Sequence, residues 1–201
     1  MTINKLPNQD DVTGRSALHG FETVPTYTQP DRLTNSATGG VSVVFNDLGV
    51  RLDGSTTSGD TGRIDTIRSV AYQNFSQVVI EIGYVTGGTA PPYTDDVEYG
   101  VLLNSGVNQD RGAYLDFTSS EYHVDTATVP ATLPGTFASV LLRIKIDYAA
   151  GETTFTQSGA VSESVTISAA DTGQRAAVAY GSNGNGDDSP SIAYYKIEMR
   201  P

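Results

Sequence analysis

The stretch Val140–Val165, VLLRIKIDYAAGETTFTQSGAVSESV, constrains the fold more than any other. Leu142, Ile144, Ile146 and Tyr148 alternate with Leu141, Arg143, Lys145 and Asp147. A period of two marks a strand with one buried face. Ala150-Gly151 breaks the run, and Glu152–Gln157 reads as a second short strand around Phe155. Ser158-Gly159 turns again, and Val161, Val165 and Ile167 fall on one face of the next run. The rest of the chain must pack against this unit of strand, turn, strand, turn, strand.

Other runs repeat the pattern. Phe75–Val85 puts Val78, Ile80, Ile82 and Tyr84 on one face. Val97, Tyr99, Val101 and Leu103 alternate, as do Ala193, Tyr195, Ile197 and Met199. Val41, Val43 and Phe45, then Val50 and Leu52, read as a hairpin across Asn46–Gly49. Tyr114–Phe117 is a further strand, and Ala176, Val178 and Tyr180 face inward on another. Val124–Gly135, with Pro130 and Pro134, reads as a crossover loop. No segment carries an apolar period near 3.6, so no substantial helix is expected. The chain reads as all-β, with roughly ten to twelve strands in one domain. That domain spans residues 39–201. Residues 1–38, interrupted by Pro7, Pro25 and Pro30, read as an arm. The arm's apolar residues, Leu6, Leu18, Phe21, Tyr27 and Leu33 among them, would fold back on the sandwich or dock on a neighbouring subunit.

LLRIKIDYAAGETTFTQSG, followed by AAVAYGSNG and the closing SIAYYKIEMRP, resembles the laminin-G-like and concanavalin A-like jelly rolls over residues 40 to 201. The resemblance implies a two-sheet antiparallel sandwich. It implies function only loosely, because such sandwiches serve as lectins, adhesion modules, hydrolases and viral coat or fibre parts. Laminin-G-like domains bind calcium at loop rims, so calcium is the ion this resemblance suggests.

Composition removes several classes. Cysteine is absent, which excludes disulfides, thiolate metal sites and cysteine nucleophiles. The net charge of −11 disfavours binding to a nucleic-acid backbone. No apolar run approaches the length of about 18 residues that a membrane-spanning helix needs, and the N-terminus lacks the apolar core of a secretory signal. Only Lys5, Lys145 and Lys196 are lysines among twelve basic residues. An acidic, lysine-poor surface is the composition of proteins from high-salt organisms.

Catalytic patterns are weak. His19 and His123 are far apart, and no G-x-S-x-G nucleophile elbow is present. The paired carboxylates of a jelly-roll glucanase, E-x-D-x-x-E, do not occur. Binding patterns are better. Gly87–Asp96, GGTAPPYTDD, is the most marked loop, and it offers Tyr93, Asp95 and Asp96. Gly181–Ser189, GSNGNGDDS, offers Asn183 and Asn185, with Asp187 and Asp188 as candidate metal ligands. Oxygen donors at alternate positions suit a hard cation such as calcium. Tyr93, Tyr114, Tyr122 and Tyr194 could each stack a sugar ring, although a strand tyrosine is more often core.

Two readings follow. The first is a non-enzymatic virion structural or adhesion protein of a halophile's tailed virus, a capsid decoration, turret or tail-fibre component. It would be anchored by its arm to other virion proteins and homo-oligomeric, with the sandwich exposed at the virion surface. The alternative is an extracellular carbohydrate-binding, lectin-like module that recognises cell-surface glycans. Neither inserts in a membrane.

Overall fold

A computed structural model of the chain describes residues 16–20, 33–37, 41–53, 61–66, 75–93, 96–102, 112–170, 177–182 and 190–200. These residues hold fifteen strands and no helix. The strands are β1 (Ser16–Gly20), β2 (Leu33–Ala37), β3 (Ser42–Asn46), β4 (Gly49–Asp53) and β5 (Thr61–Thr66). The next are β6 (Gln77–Val85), β7 (Asp96–Leu102), β8 (Gly112–Asp116), β9 (Glu121–Val124) and β10 (Ala127–Pro130). The last are β11 (Ser139–Asp147), β12 (Glu152–Gly159), β13 (Glu163–Ile167), β14 (Ala177–Ser182) and β15 (Ser191–Arg200).

They form two antiparallel sheets, as the alternation predicts. The first runs β13-β12-β11-β6-β15-β4-β3, with β1 also paired to β15. The second runs β10-β9-β8-β7-β14-β5-β2. The strand-turn-strand-turn-strand unit of the sequence is β11, β12 and β13, folded back on each other in register from Val140↔Gly159 and Phe155↔Val165. Its inward residues Leu142, Ile144, Ile146 and Phe155 are fully buried, while Leu141 and Arg143 are exposed. Val78, Ile80, Ile82 and Tyr84 of β6 meet them from the next strand. Leu115, Tyr122 and Val124 cover them from the second sheet. Burying one such aliphatic side chain is worth about 1.5–3 kcal/mol, so this face dominates the stability of the sandwich.

The segment 124–135 differs from the sequence reading. Asp125 adopts a positive φ of 51°, and the turn it makes lets Ala127–Pro130 return as β10. Proline is tolerated there because β10 is the edge strand of its sheet and Pro130 is its last residue. The run is too short to declare a period, which is why the sequence reads as a loop.

Within residues 1–38, β1 pairs with β15 from Ser16↔Glu198 to Gly20↔Tyr194, and β2 pairs with β5. Leu18 and Leu33 therefore lie in strands bonded to the chain's own sandwich. Leu6, Phe21 and Tyr27 lie outside the described residues.

Gly49 shows how tightly the strands approach. Its φ is +129°, and a Cβ placed there would sit 2.1 Å from the Ile192 carbonyl oxygen and 2.9 Å from Ala193 Cα. Both obstacles are backbone, so neither can rotate away. We expect Gly49→Ala to cost about 3 kcal/mol or more, because strain at a glycine-only φ adds to a forced separation of β4 from β15. Chemical denaturation of the variant measures this, and an unchanged midpoint would contradict the packing.

Candidate functional site

Antiparallel pairing brings many connections to one end of the sandwich. The Asn46–Gly49 turn, residues 86–93, the turn after Asp116, residues 131–138, the turn after Gly159 and the stem Ser182 and Pro190 all lie there. Two contacts join the segments that flank the two loops the sequence singles out. Asp96, the first residue of β7, is the register partner of Ser182, the last residue of β14. The Tyr99 hydroxyl of β7 donates to the Pro190 carbonyl. Burial pushes the Tyr99 phenol far above its usual range, so it stays a donor. The loops 94–95 and 183–189 thus spring from strand ends that are bonded to each other.

Residues 86–93 and 134–138 form the other wall. Thr86 is fully buried and acts as the latch between them. Its hydroxyl donates to the Gly135 carbonyl at 2.6 Å and accepts from the Ala138 N–H at 2.8 Å. The Phe137 N–H donates to the Gly87 carbonyl at 3.0 Å. This latch holds Phe137 at a φ of 50° with its side chain 73% exposed. A left-handed conformation costs a non-glycine residue about 1–2 kcal/mol. The Phe137 ring lies beside Gly88, where an added Cβ would meet its Cζ at 3.5 Å. Gly88, Thr89, Ala90 and Pro92 are exposed around it. The bond between Pro91 and Pro92 is cis.

The second sheet adds a polar group at its outer face. Asp116 Oδ1 accepts from the N–H groups of Thr118 and Ser119, at 2.7 and 3.1 Å, and so ties the turn into β9. His123 stacks on Tyr114 with ring centroids 4.7 Å apart. Its Nε2 lies 3.7 Å from Asp116 Oδ2 and 3.5 Å from Glu121 Oε2. The sequence puts His123 beside Glu121 and Asp125. Asp125 instead accepts from the Gly112 N–H, and Asp116 takes its place near the imidazole. Among the described residues no group of three or more His, Asp or Glu is arranged to hold a metal ion.

The structure sorts the candidate residues. Tyr93 is 4% exposed, and its ring centroid lies 6.1 Å from that of Phe117, in a cluster with Tyr84 and Tyr99. Tyr114 and Tyr122 are also buried. Tyr93 and Tyr122 belong to the core between the sheets, whereas Tyr114 is buried beside the His123 ring on the other face of β8. Asp96 stands at the rim end of β7. Asp95, Asn183, Asn185, Asp187 and Asp188 lie outside the described residues. Phe137 is the residue that sequence reasoning misses. Its signal is a lone aromatic between Pro134-Gly135 and a strand, off the phase of Val140 and Leu142.

No protein-family model matches the chain, and no curated protein matches it in sequence. Solved structures do match its fold. Lectin II from Ulex europaeus superposes with a TM-score of 0.64 at 11% identity, covering 92% of this chain and 98% of the lectin. The exoplasmic/lumenal domain of VIP36 in its Ca2+/Man-bound form gives 0.59 at 12% identity, covering 92% and 89%. SO2946 from Shewanella oneidensis MR-1, a protein of unknown function, gives 0.63 at 13% identity, covering 94% and 88%. The chain therefore shares the two-sheet, concanavalin A-like jelly-roll fold with these structures.

Proposed function

We propose that the chain is a non-enzymatic, extracellular carbohydrate-binding module that holds a glycan at the loop-bearing end of its sandwich. The observation that carries this reading is the pairing of Asp96 with Ser182. It sets side by side the strand ends from which the segments with Asp95 and with residues 183–188 continue in sequence. The lectins among its structural neighbours, and the calcium- and mannose-bound state of one of them, support the same reading. The oxygen donors Asp95, Asp96, Asp187 and Asp188 fit a hard cation, and calcium bound there would orient the rim. Among the described residues no helix is long and apolar enough to cross a membrane.

The virion reading has its support in composition, which is acidic and lysine-poor. The pairing of β1 with β15 and of β2 with β5 gives part of residues 1–38 a place within the chain's own sheets. No observation favours the virion role over glycan binding.

The test is a glycan array probed with the full chain in calcium and in EDTA. We expect saturable binding that EDTA weakens, and a loss of roughly tenfold or more in the Asp96→Ala/Asp187→Ala/Asp188→Ala variant. An array without a hit in either buffer would sink the proposal.

A further inference from the structure

One turn holds the backbone on both sides of the step into β7. Only residues 94 and 95 separate Tyr93 from Asp96 in the sequence. Before them, the Tyr93 N–H donates to the Phe117 carbonyl at 3.1 Å. After them, the Phe117 N–H donates to the Val97 carbonyl at 2.9 Å, and the Val97 N–H donates to Thr118 Oγ1 at 3.4 Å. The turn is itself anchored from two sides. Inside, Phe117 is fully buried, and its ring centroid lies 5.2 Å from that of Tyr84, 5.0 Å from Tyr99 and 6.1 Å from Tyr93. Outside, Asp116 closes the turn: Oδ1 accepts from the Thr118 and Ser119 N–H groups, and Oδ2 accepts from Ser119 Oγ at 2.8 Å.

We propose that Asp116, Phe117 and Thr118 are positioning residues for the ligand-holding end of β7, and that His123 makes their grip depend on pH; this rests on the carbohydrate-binding reading above. A backbone fixed before binding loses little freedom when the ligand arrives. The pH dependence comes from what surrounds the imidazole. Its Nε2 lies 3.5 Å from Glu121 Oε2, 3.7 Å from Asp116 Oδ2 and 3.5 Å from Ser119 Oγ. Tyr114 of β8 stacks on the ring, and Thr128 of β10 is its register partner on the other side. Among the described residues the charged groups facing the imidazole are therefore Asp116 and Glu121, with the Tyr114 phenol as the other titratable neighbour. Histidine is the side chain whose charge changes between about pH 5 and pH 8. With the ring neutral, the two carboxylates repel each other across it and work against the turn. With the ring protonated, it attracts both and draws β8 and β9 together at Asp116 and Glu121. Acid thus tightens the turn, and through Phe117 and Thr118 it tightens the backbone at Tyr93 and Val97.

The experiment is amide hydrogen exchange of the full chain at about pH 5.5 and about pH 8, corrected for the intrinsic exchange rate, on the parent, Thr118→Val and His123→Gln. Thr118→Val keeps the shape and removes the acceptor of the Val97 N–H. His123→Gln keeps a polar side chain and removes the titrating ring. In the parent, Tyr93 and Val97 should be protected roughly threefold more at the lower pH, and His123→Gln should flatten that difference. Thr118→Val should release Val97 at either pH, while the core amides of Ile80 and Ile144 stay protected. On the glycan array in calcium, Thr118→Val should bind the parent's ligands roughly tenfold more weakly. Equal glycan binding by Thr118→Val, or protection of Tyr93 and Val97 that ignores both pH and His123→Gln, overturns this inference and leaves the carbohydrate-binding function standing. An array on which the parent binds nothing overturns both, whatever the exchange shows.

Discussion

We expect stability to fall steeply as the pH rises above about 10, because the core is rich in neutral phenols. Burial holds the phenols of Tyr84 and Tyr99 well above their usual range, and neighbouring tyrosines add to the effect. Burial also raises Tyr122; an amide hydrogen bond from Gln157 opposes this, and Glu163 reinforces it. The sign follows from proton counting. In the unfolded chain these phenols ionise near pH 10, whereas in the sandwich they keep their protons. Above pH 10 the unfolded state therefore holds fewer protons, and stability falls as pH rises. The stabilising contribution is complete below pH 10 and fades as the pH climbs toward the folded values. Tyr84 and Tyr99 each steepen the fall by up to about 1.4 kcal/mol per pH unit. Denaturation midpoints between pH 8 and 11.5, read with phenolate absorbance, measure it. Phenolate should appear together with unfolding, and Tyr99→Phe should flatten the slope. Titration of the core tyrosines near pH 10 in an intact fold would refute the account.

Gln157→Ala is expected to be among the most destabilising substitutions in the chain, at about 4 kcal/mol. Gln157 is 1% exposed and faces inward from β12. Its Oε1 accepts from the Tyr84 hydroxyl at 2.8 Å. Its Nε2 donates to the Tyr122 hydroxyl at 2.6 Å and to the Thr132 carbonyl at 2.8 Å. Tyr122 passes its own proton toward Glu163 Oε2 at 3.1 Å, and Glu163 accepts from the Thr132 N–H at 2.9 Å. The amide thus joins both sheets to the crossing segment 131–133. Truncation strands a buried hydroxyl and a carbonyl, and each orphan costs about 1–3 kcal/mol. Removing the Tyr84 hydroxyl as well should recover part of the loss, so Tyr84→Phe/Gln157→Leu should be more stable than Gln157→Leu alone. Strict additivity of the two changes would show that the network does not act as a unit.

The sheets are legible in the sequence because burial there is periodic. Leu142, Ile144 and Ile146 announce their face, and Thr153, Phe155 and Gln157 share the next strand's inward phase. The phase places Gln157 inside but does not name its partners, which come from β6, β9 and the 131–133 crossing. The two acidic loops are visible as loops. The pairing of the strands that carry them is not, because the Asp96↔Ser182 pair spans most of the second half of the chain and no local pattern encodes it. Phe137 is hidden for a different reason. An aromatic beside a strand reads as core until the latch of Thr86 is seen to turn it outward. His123 is visible as an acid-flanked histidine, but its closest carboxylates come from β8 as well as β9.

The central place of β15 has a consequence for how the chain is made. This strand comes last in chain order among the described strands, yet it pairs with β6 on one side and with β4 and β1 on the other. Until it arrives, β6 keeps an open edge and β1 has no partner in its sheet. Contacts between such distant positions give a high contact order, which places folding in the slow range of milliseconds to seconds typical of β-sandwiches. Assembly of the first sheet therefore waits until β15 has been made. The pairing of Ser16 with Glu198 also sets the first and last described strands side by side, so linking β15 directly to β1 and opening a loop at the far end of the sandwich should give a circular permutant with the same pairings and a different order of birth.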